Sequence, residues 1–200
     1  NLVVLSLNPQ REGATQPTQE SLLQAVLQPA TANLAPYKDD TPNQPLLPVL
    51  PKAGHIVSQR HESALGIERI ELSNGVTVLL KPTSTGKDEL LMTAFAPGGS
   101  SRLEQADFAN ARFFNRIVGS SGLGDFSSQQ LTKVLTGQTA NVNLSLDTYW
   151  LSLNSSASTR DAECLLQQTY LYFTALRPNQ QAFDNIMANS RARLSQVAGL

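Results

Sequence analysis

The chain has 200 residues, 40% of them hydrophobic, with a net charge of −1 and a pI near 6.1. That is enough for one large domain, or a domain with a connecting segment, and for a sizeable core. It excludes a global basic field that would recruit nucleic acid or anionic lipid, and no run reaches the ~18 apolar residues a bilayer span needs.

Asn1–Leu7 is too short and lacks the cationic lead of a signal peptide, so the chain is expected to be an excised piece of a longer protein. Leu2–Leu7 (LVVLSL) reads as a short buried strand. A helix is predicted from Gln19 to Gln28, with Thr18 as N-cap, Glu20 in the first turn and Pro29 as its stop. This pair reads as the tail of a preceding domain, residues 1–28. Pro29, Pro36, Pro42, Pro45, Pro48 and Pro51 then punctuate a stretch that also holds Leu46, Leu47, Val49 and Leu50. Prolines at that density forbid helix, and residues 29–53 are expected to form an extended linker on a surface.

A compact domain is expected over residues 54–200. Ile67–Leu72 and Val76–Leu80 flank Ser73-Asn74-Gly75, a strong hairpin signal in which Asn74 and Gly75 would both take positive φ. Leu90–Ala96 is a third strand, closed by Pro97-Gly98-Gly99. A helix follows at Asp107–Val118, placing Phe108, Ala111 or Arg112, Asn115 and Val118 on one side. Gly119, Gly122 and Gly124 mark a tight turn. Ser127-Ser-Gln-Gln130 is a capping box with Phe126 and Leu131 at staple positions, and Gly137 ends the helix it opens. Ala140, Val142, Leu144 and Leu146 alternate on one strand face, and Tyr149, Leu151 and Leu153 on the next. Helices are predicted over Thr159–Leu176 and from Asn179 onward, the latter with Phe183, Ile186, Met187, Ser190 and Leu194 on one stripe. The order β-β-β-α-α-β-β-α-α describes an α+β fold, an antiparallel sheet with paired helices mainly on one face.

Residues able to carry chemistry are few. The two histidines are His55 and His61. In extended chain they lie about 20 Å apart and cannot chelate one ion. His61-Glu62 opens like H-E-x-x-H, but residue 65 is Leu. The serine pairs Ser120-Ser121, Ser127-Ser128 and Ser155-Ser156 fall at turns and caps. Cys164 sits near apolar positions of a helix and reads as an inert buried thiol; as the single cysteine it excludes an internal disulfide. The glycine cluster could offer amides to an anion, but Asp125 stands at its mouth. Glu68/Glu71 and Asp88/Glu89 are paired carboxylates without an assigned acid–base role. Asp39-Asp40 and Arg191/Arg193 read as solvated surface charge.

The run at residues 72–101, LSNGVTVLLKPTSTGKDELLMTAFAPGGSS, resembles the opening of a pitrilysin/insulinase-type zinc metallopeptidase domain. Residues 121–158 resemble its next helix and hairpin, and residues 170–194 its closing helix pair. The resemblance implies a mitochondrial-processing-peptidase-like metallohydrolase fold. It implies a parent of two homologous halves enclosing a chamber, one of them bearing zinc on an H-x-x-E-H helix. Here the corresponding positions are Asn110, Ala111, Arg112, Phe113, Phe114 and Asn115, with neither His nor Glu, and Arg112 would repel a cation. No metal or catalytic residue carries over to this chain.

The resemblance therefore implies an inactive domain from the second half of a bacterial two-half zinc protease. Its cofactor, zinc, would sit in the catalytic half of the same polypeptide. Its partners would be that half and a peptide substrate, held by strand addition at an exposed sheet edge, with a periplasmic location. The alternative is a scaffolding module without a proteolytic role. An independent enzyme built on Cys164 or a serine is the least supported reading.

Overall fold

A computed structural model of the chain describes residues 3–8, 13, 15–31, 33, 35–36 and 38–198. These fall into two units, Asn1–Asp39 and Asp40–Leu200.

In the first unit, helix α1 spans Gln19–Thr31. The Thr18 hydroxyl accepts from the Ser21 amide at 3.2 Å, and the Thr18 carbonyl from the Leu22 amide at 3.0 Å. The cap thus lies where its residue type places it. The helix does not stop at Pro29 as expected. A proline in the last turn costs one i→i−4 bond, and its fixed φ is already helical. Residues 3–7, the described part of the strand expected over Leu2–Leu7, have no regular structure, and Val3 and Leu7 are 87% and 96% exposed. A strand exists only through its ladder, and among the described residues none pairs with this segment. Leu2 lies outside the described residues.

The second unit opens with strands β1 (Ile56–Glu62), β2 (Ile67–Leu72) and β3 (Thr77–Leu80), an antiparallel sheet in the order β1-β2-β3. β1 precedes the first strand expected from the sequence pattern. Its sequence, IVSQRHE, lacks alternation, and six of its seven residues are exposed. Ladder bonds to β2 hold it, not burial. The β2–β3 turn also differs from expectation. Gly75 alone of the two central residues has positive φ, 85°. The Gly75 amide donates to the Leu72 carbonyl, and the Leu72 amide to the Val76 carbonyl, each at 2.9 Å. That closes the longer Ser73-Asn74-Gly75 loop with glycine last. Asn74 contributes its Oδ1, which accepts from the Val76 amide at 3.1 Å.

Strands β4 (Leu90–Pro97), β6 (Asn141–Leu146) and β7 (Trp150–Ala157) form a second antiparallel sheet, ordered β4-β7-β6. Two-residue strands β5 (Gly122–Leu123) and β8 (Leu176–Arg177) pair separately. Helices α2 (Gln105–Ala111), α3 (Phe114–Gly119), α4 (Ser128–Val134), α5 (Ala162–Thr174) and α6 (Gln180–Ala198) complete the unit. The fold is α+β, with additions to the expected order: β1, the β5–β8 pair and a divided helix.

The alternation in β6 and β7 builds the core. Val142, Leu144, Leu153 and Ala157 face inward, and Val118 of α3 and Leu165 of α5 cover them. Each of the Val and Leu burials is worth about 1.5–3 kcal/mol. The helices pack on this face, as the pattern requires, while Leu91, Phe95 and Trp150 are exposed. A second cluster joins Leu46, Leu123, Phe126 and Leu171. Leu46 thus anchors the proline-punctuated stretch. The Ser127–Gln130 capping box forms with bonds of 2.9 and 3.3 Å, and Phe126 and Leu131 meet in the second cluster. α5 is shorter than predicted at both ends, because Ser158–Asp161 forms a turn and Leu176-Arg177 pairs with β5.

Candidate functional site

The segment to which the resemblance assigns the metal motif is reached from β4 through Gly98 and Gly99. Their φ values are 131° and 52°, a region that favours glycine. A β-carbon on Gly99 would collide with the Asp147 carbonyl and the Trp150 amide. Without one, the 3₁₀ turn Gly99–Arg102 lies directly against the β6–β7 turn. The Gly98 amide donates to Tyr149 O at 2.6 Å, and the Ser100 and Ser101 amides donate to Asp147 O and Thr148 O at 2.8 Å.

The single helix expected over Asp107–Val118 is divided. α2 ends at Ala111, and α3 starts at Phe114. Between them the Phe113 amide bonds Asn110 O at 3.0 Å, a tighter turn than an α-helix makes. The tightening shifts the phase of the chain. Phe114 and Val118, four apart, pack on the core, while Phe108 remains 52% exposed. Asn115 then fastens α3 to the edge of β6. Its Oδ1 accepts from the Leu146 amide at 2.7 Å, and its Nδ2 lies 3.4 Å from the Leu146 carbonyl.

A cleft of about 360 Å³ lies at this break, lined by Ser100, Phe108, Ala111, Arg112, Leu146, Asp147 and Thr148. Of the six motif positions, Ala111 and Arg112 line it. Asn110, Phe113, Phe114 and Asn115 do not. Among the described residues the side chains of Arg112, Asp147 and Ser100 have no hydrogen-bond or ion-pair partner. Zinc needs imidazole, thiolate or carboxylate donors. The six positions offer two amides, a methyl, two phenyl rings and a guanidinium, which do not fit that ion. Among the described residues no group of three His, Cys, Asp or Glu side chains could hold a metal.

The remaining candidates stand apart from the cleft. His61 Nδ1 lies 2.6 Å from Glu68 Oε1, across β1 and β2. The bond to His61, with a second from Gln59, holds the Glu68 carboxyl below its usual range. Glu71 instead lies 3.6 Å from Arg69. The His55 carbonyl accepts from the Ser73 amide at 2.9 Å, and the His55 amide donates to the Ser73 hydroxyl at 3.2 Å. Asp88, with φ of 55°, accepts from the amide and hydroxyl of Thr159, which lowers its pKa and ties the β3–β4 loop to the start of α5. The amides of the glycine cluster are spent internally: Leu123 N bonds Phe126 O at 3.0 Å and Gly124 N bonds Ala175 O at 2.8 Å. Burial pushes the Cys164 thiol up, so it is a poor nucleophile.

One further cluster forms around a buried carboxylate. Asp161, 4% exposed, accepts from the Thr139 hydroxyl (2.7 Å) and amide (2.9 Å), the Ser158 hydroxyl (2.9 Å) and Arg160 Nε (3.2 Å). The Thr139 hydroxyl leads in holding this carboxyl far below the usual range. Ser158-x-x-Asp161 has the form of a capping box and was the available signal. The Asn115–Leu146 clamp had none, because its partner lies 31 residues away.

No model of a known protein family matches the chain. Over 102 residues it is 28% identical to a zinc protease PQQL-like protein of Arabidopsis thaliana, a match covering 51% of this chain and 11% of that one. The structure superposes on the periplasmic protease PqqL from Escherichia coli with a TM-score of 0.70 at 20% identity. It superposes on the ferredoxin protease FusC, in complex with Arabidopsis ferredoxin, with a TM-score of 0.68 at 21% identity. Each structural match covers 90% of this chain and 20% of the other. The chain thus shares its fold with these two proteases. It spans about a tenth of the curated relative it matches and a fifth of each solved one. Among the described residues no helix is long and apolar enough to cross a membrane.

Proposed function

We propose that this chain is a non-catalytic domain from the second half of a zinc-dependent endopeptidase, where it forms chamber wall and substrate-contact surface. The observation that carries the reading is the chemistry of residues 110–115. Within a fold shared with zinc proteases, these positions hold no metal donor, and Asn115 serves the sheet edge. The same reading gives residues 29–53 the role of connector, residues 1–28 to the preceding domain, and the parent's zinc to another part of the same polypeptide. A periplasmic location is part of it, on the example of the protease PqqL.

The test is metal analysis of the purified chain together with cleavage of a quenched-fluorescent peptide library. The expected result is no stoichiometric zinc and no zinc-dependent cleavage. Cleavage with zinc bound one-to-one overturns the proposal. The scaffolding alternative is separated from it in the parent protein: deleting residues 54–198 should abolish cleavage of long peptides if the domain forms chamber wall. A scaffold without a proteolytic role leaves cleavage intact.

A further inference from the structure

The cleft at the α2–α3 break is built like a binding site with its polar groups left open. Its framework is spent on itself. The amides of Gly98, Ser100 and Ser101 are bonded to the β6–β7 turn, and the Leu146 amide and carbonyl to Asn115. Strand addition at this end of β6 has no free backbone partners, since the clamp occupies them. What remains for recognition is side chains. Arg112 is an exposed guanidinium with no carboxylate within ion-pair reach, and the hydroxyl of Ser100 is likewise unpartnered among the described residues. Phe108, Ala111 and Leu146 supply an apolar wall beside them.

We infer that this cleft captures the carboxyl terminus of a peptide whose last side chain is apolar. A planar guanidinium meets a carboxylate with two parallel hydrogen bonds, and a hydroxyl can add a third. The last side chain lies against Phe108. The Asp147 side chain, also unpaired on the cleft wall, opposes any carboxylate; one is offset by the Arg112 guanidinium, whereas a second acidic group meets no further cation on the lining, so an acidic segment is disfavoured. The inference rests on the proposed role of this domain as substrate-contact surface. It names the part of a peptide that is read and places the reading at the position where the relatives' resemblance puts the metal helix.

The sole tryptophan, Trp150, pairs its backbone with Asp147 next to the cleft and serves as reporter. The 200-residue chain is titrated with acetyl-Ala-Ala-Leu as the free acid, with its C-terminal amide, and with acetyl-Ala-Glu-Ala amide, following tryptophan fluorescence and backbone amide NMR shifts. The expected result is saturable binding of the free acid, with shifts at Ser100, Arg112 and Asp147. Amidation should weaken it about tenfold or more. Arg112→Gln, with an unchanged circular dichroism spectrum, should do the same, and Arg112→Lys should restore part of the loss. Phe108→Ser should remove the preference for Leu over Gly at the peptide end.

Equal binding of amide and acid, equal binding by Arg112→Gln, or binding of the side-chain carboxylate as tight as the terminal one overturns the inference. So does the absence of saturable shifts up to about 10 mM. These outcomes leave the non-catalytic reading standing, because that reading falls only with zinc-dependent cleavage by the chain.

Discussion

The two ends of β6 present opposite arrangements of polar side chains. At its start, Asp161 is buried, and every group around it is used: Thr139, Ser158 and Arg160 all converge on one carboxylate. At its end, Arg112, Asp147 and Ser100 line a cleft, and none of their side chains has a protein partner among the described residues. A buried charge is tolerated only when it is fully bonded, so the Asp161 cluster is a joint between the strand and α5. Exposed charges that converge on a cleft without pairing keep their bonding capacity for something outside the domain. The contrast separates a group that holds the fold from groups the fold holds in place.

Asp161→Ala should break the comparison most severely. It leaves two Thr139 donors and the Ser158 hydroxyl facing an apolar methyl, and should lower the thermal unfolding midpoint more than any other change named here; Asp161→Asn should recover part of it. Acid should act on the same joint. Because the folded pKa of Asp161 is depressed, the unfolded chain binds the proton more readily. The contribution to stability is complete above the ordinary carboxylate pKa of about 3.9 and is lost as pH falls through the folded value. Asp88 and Glu68 shift in the same direction and add smaller, more exposed contributions. Urea unfolding measured from pH 6 downward should therefore show falling stability, and Asp161→Asn should flatten the curve.

Asn115→Ala should cost about 1 kcal/mol, the worth of a lost backbone-directed bond. It should also speed hydrogen exchange at the Leu146 amide while leaving Thr139 protected. Arg112→Gln should change stability by less than about 0.5 kcal/mol, since the side chain is exposed and supports nothing. Chemical denaturation of the purified variants orders all of these. A large loss for Arg112→Gln would erase the distinction between the two ends of the strand.

Local signals were legible where neighbours in sequence are also partners in space. The Thr18 cap, the Ser127–Gln130 box, the β2–β3 hairpin and the alternating faces of β6 and β7 all belong to this class. Readings failed where a distant partner intervened. β1 forms because β2 offers a ladder, while residues 3–7, largely apolar and strand-like, find none among the described residues. Leu176-Arg177 leaves its predicted helix for β5, and the helix at Asp107–Val118 breaks to seat Phe114 and Val118 on the sheet.

The same division holds for function. Residues 110–115 contain no His, Cys, Asp or Glu, and side-chain donor type does not depend on folding. Only the tertiary structure decided what those residues do instead. Asn115 reaches Leu146, Arg112 opens onto a cleft with Asp147 and Ser100, and Phe114 enters the core. Ligand chemistry is a property of single side chains, whereas their partners are set by how β4, the Gly98-Gly99 turn and the β6–β7 turn come together across the fold.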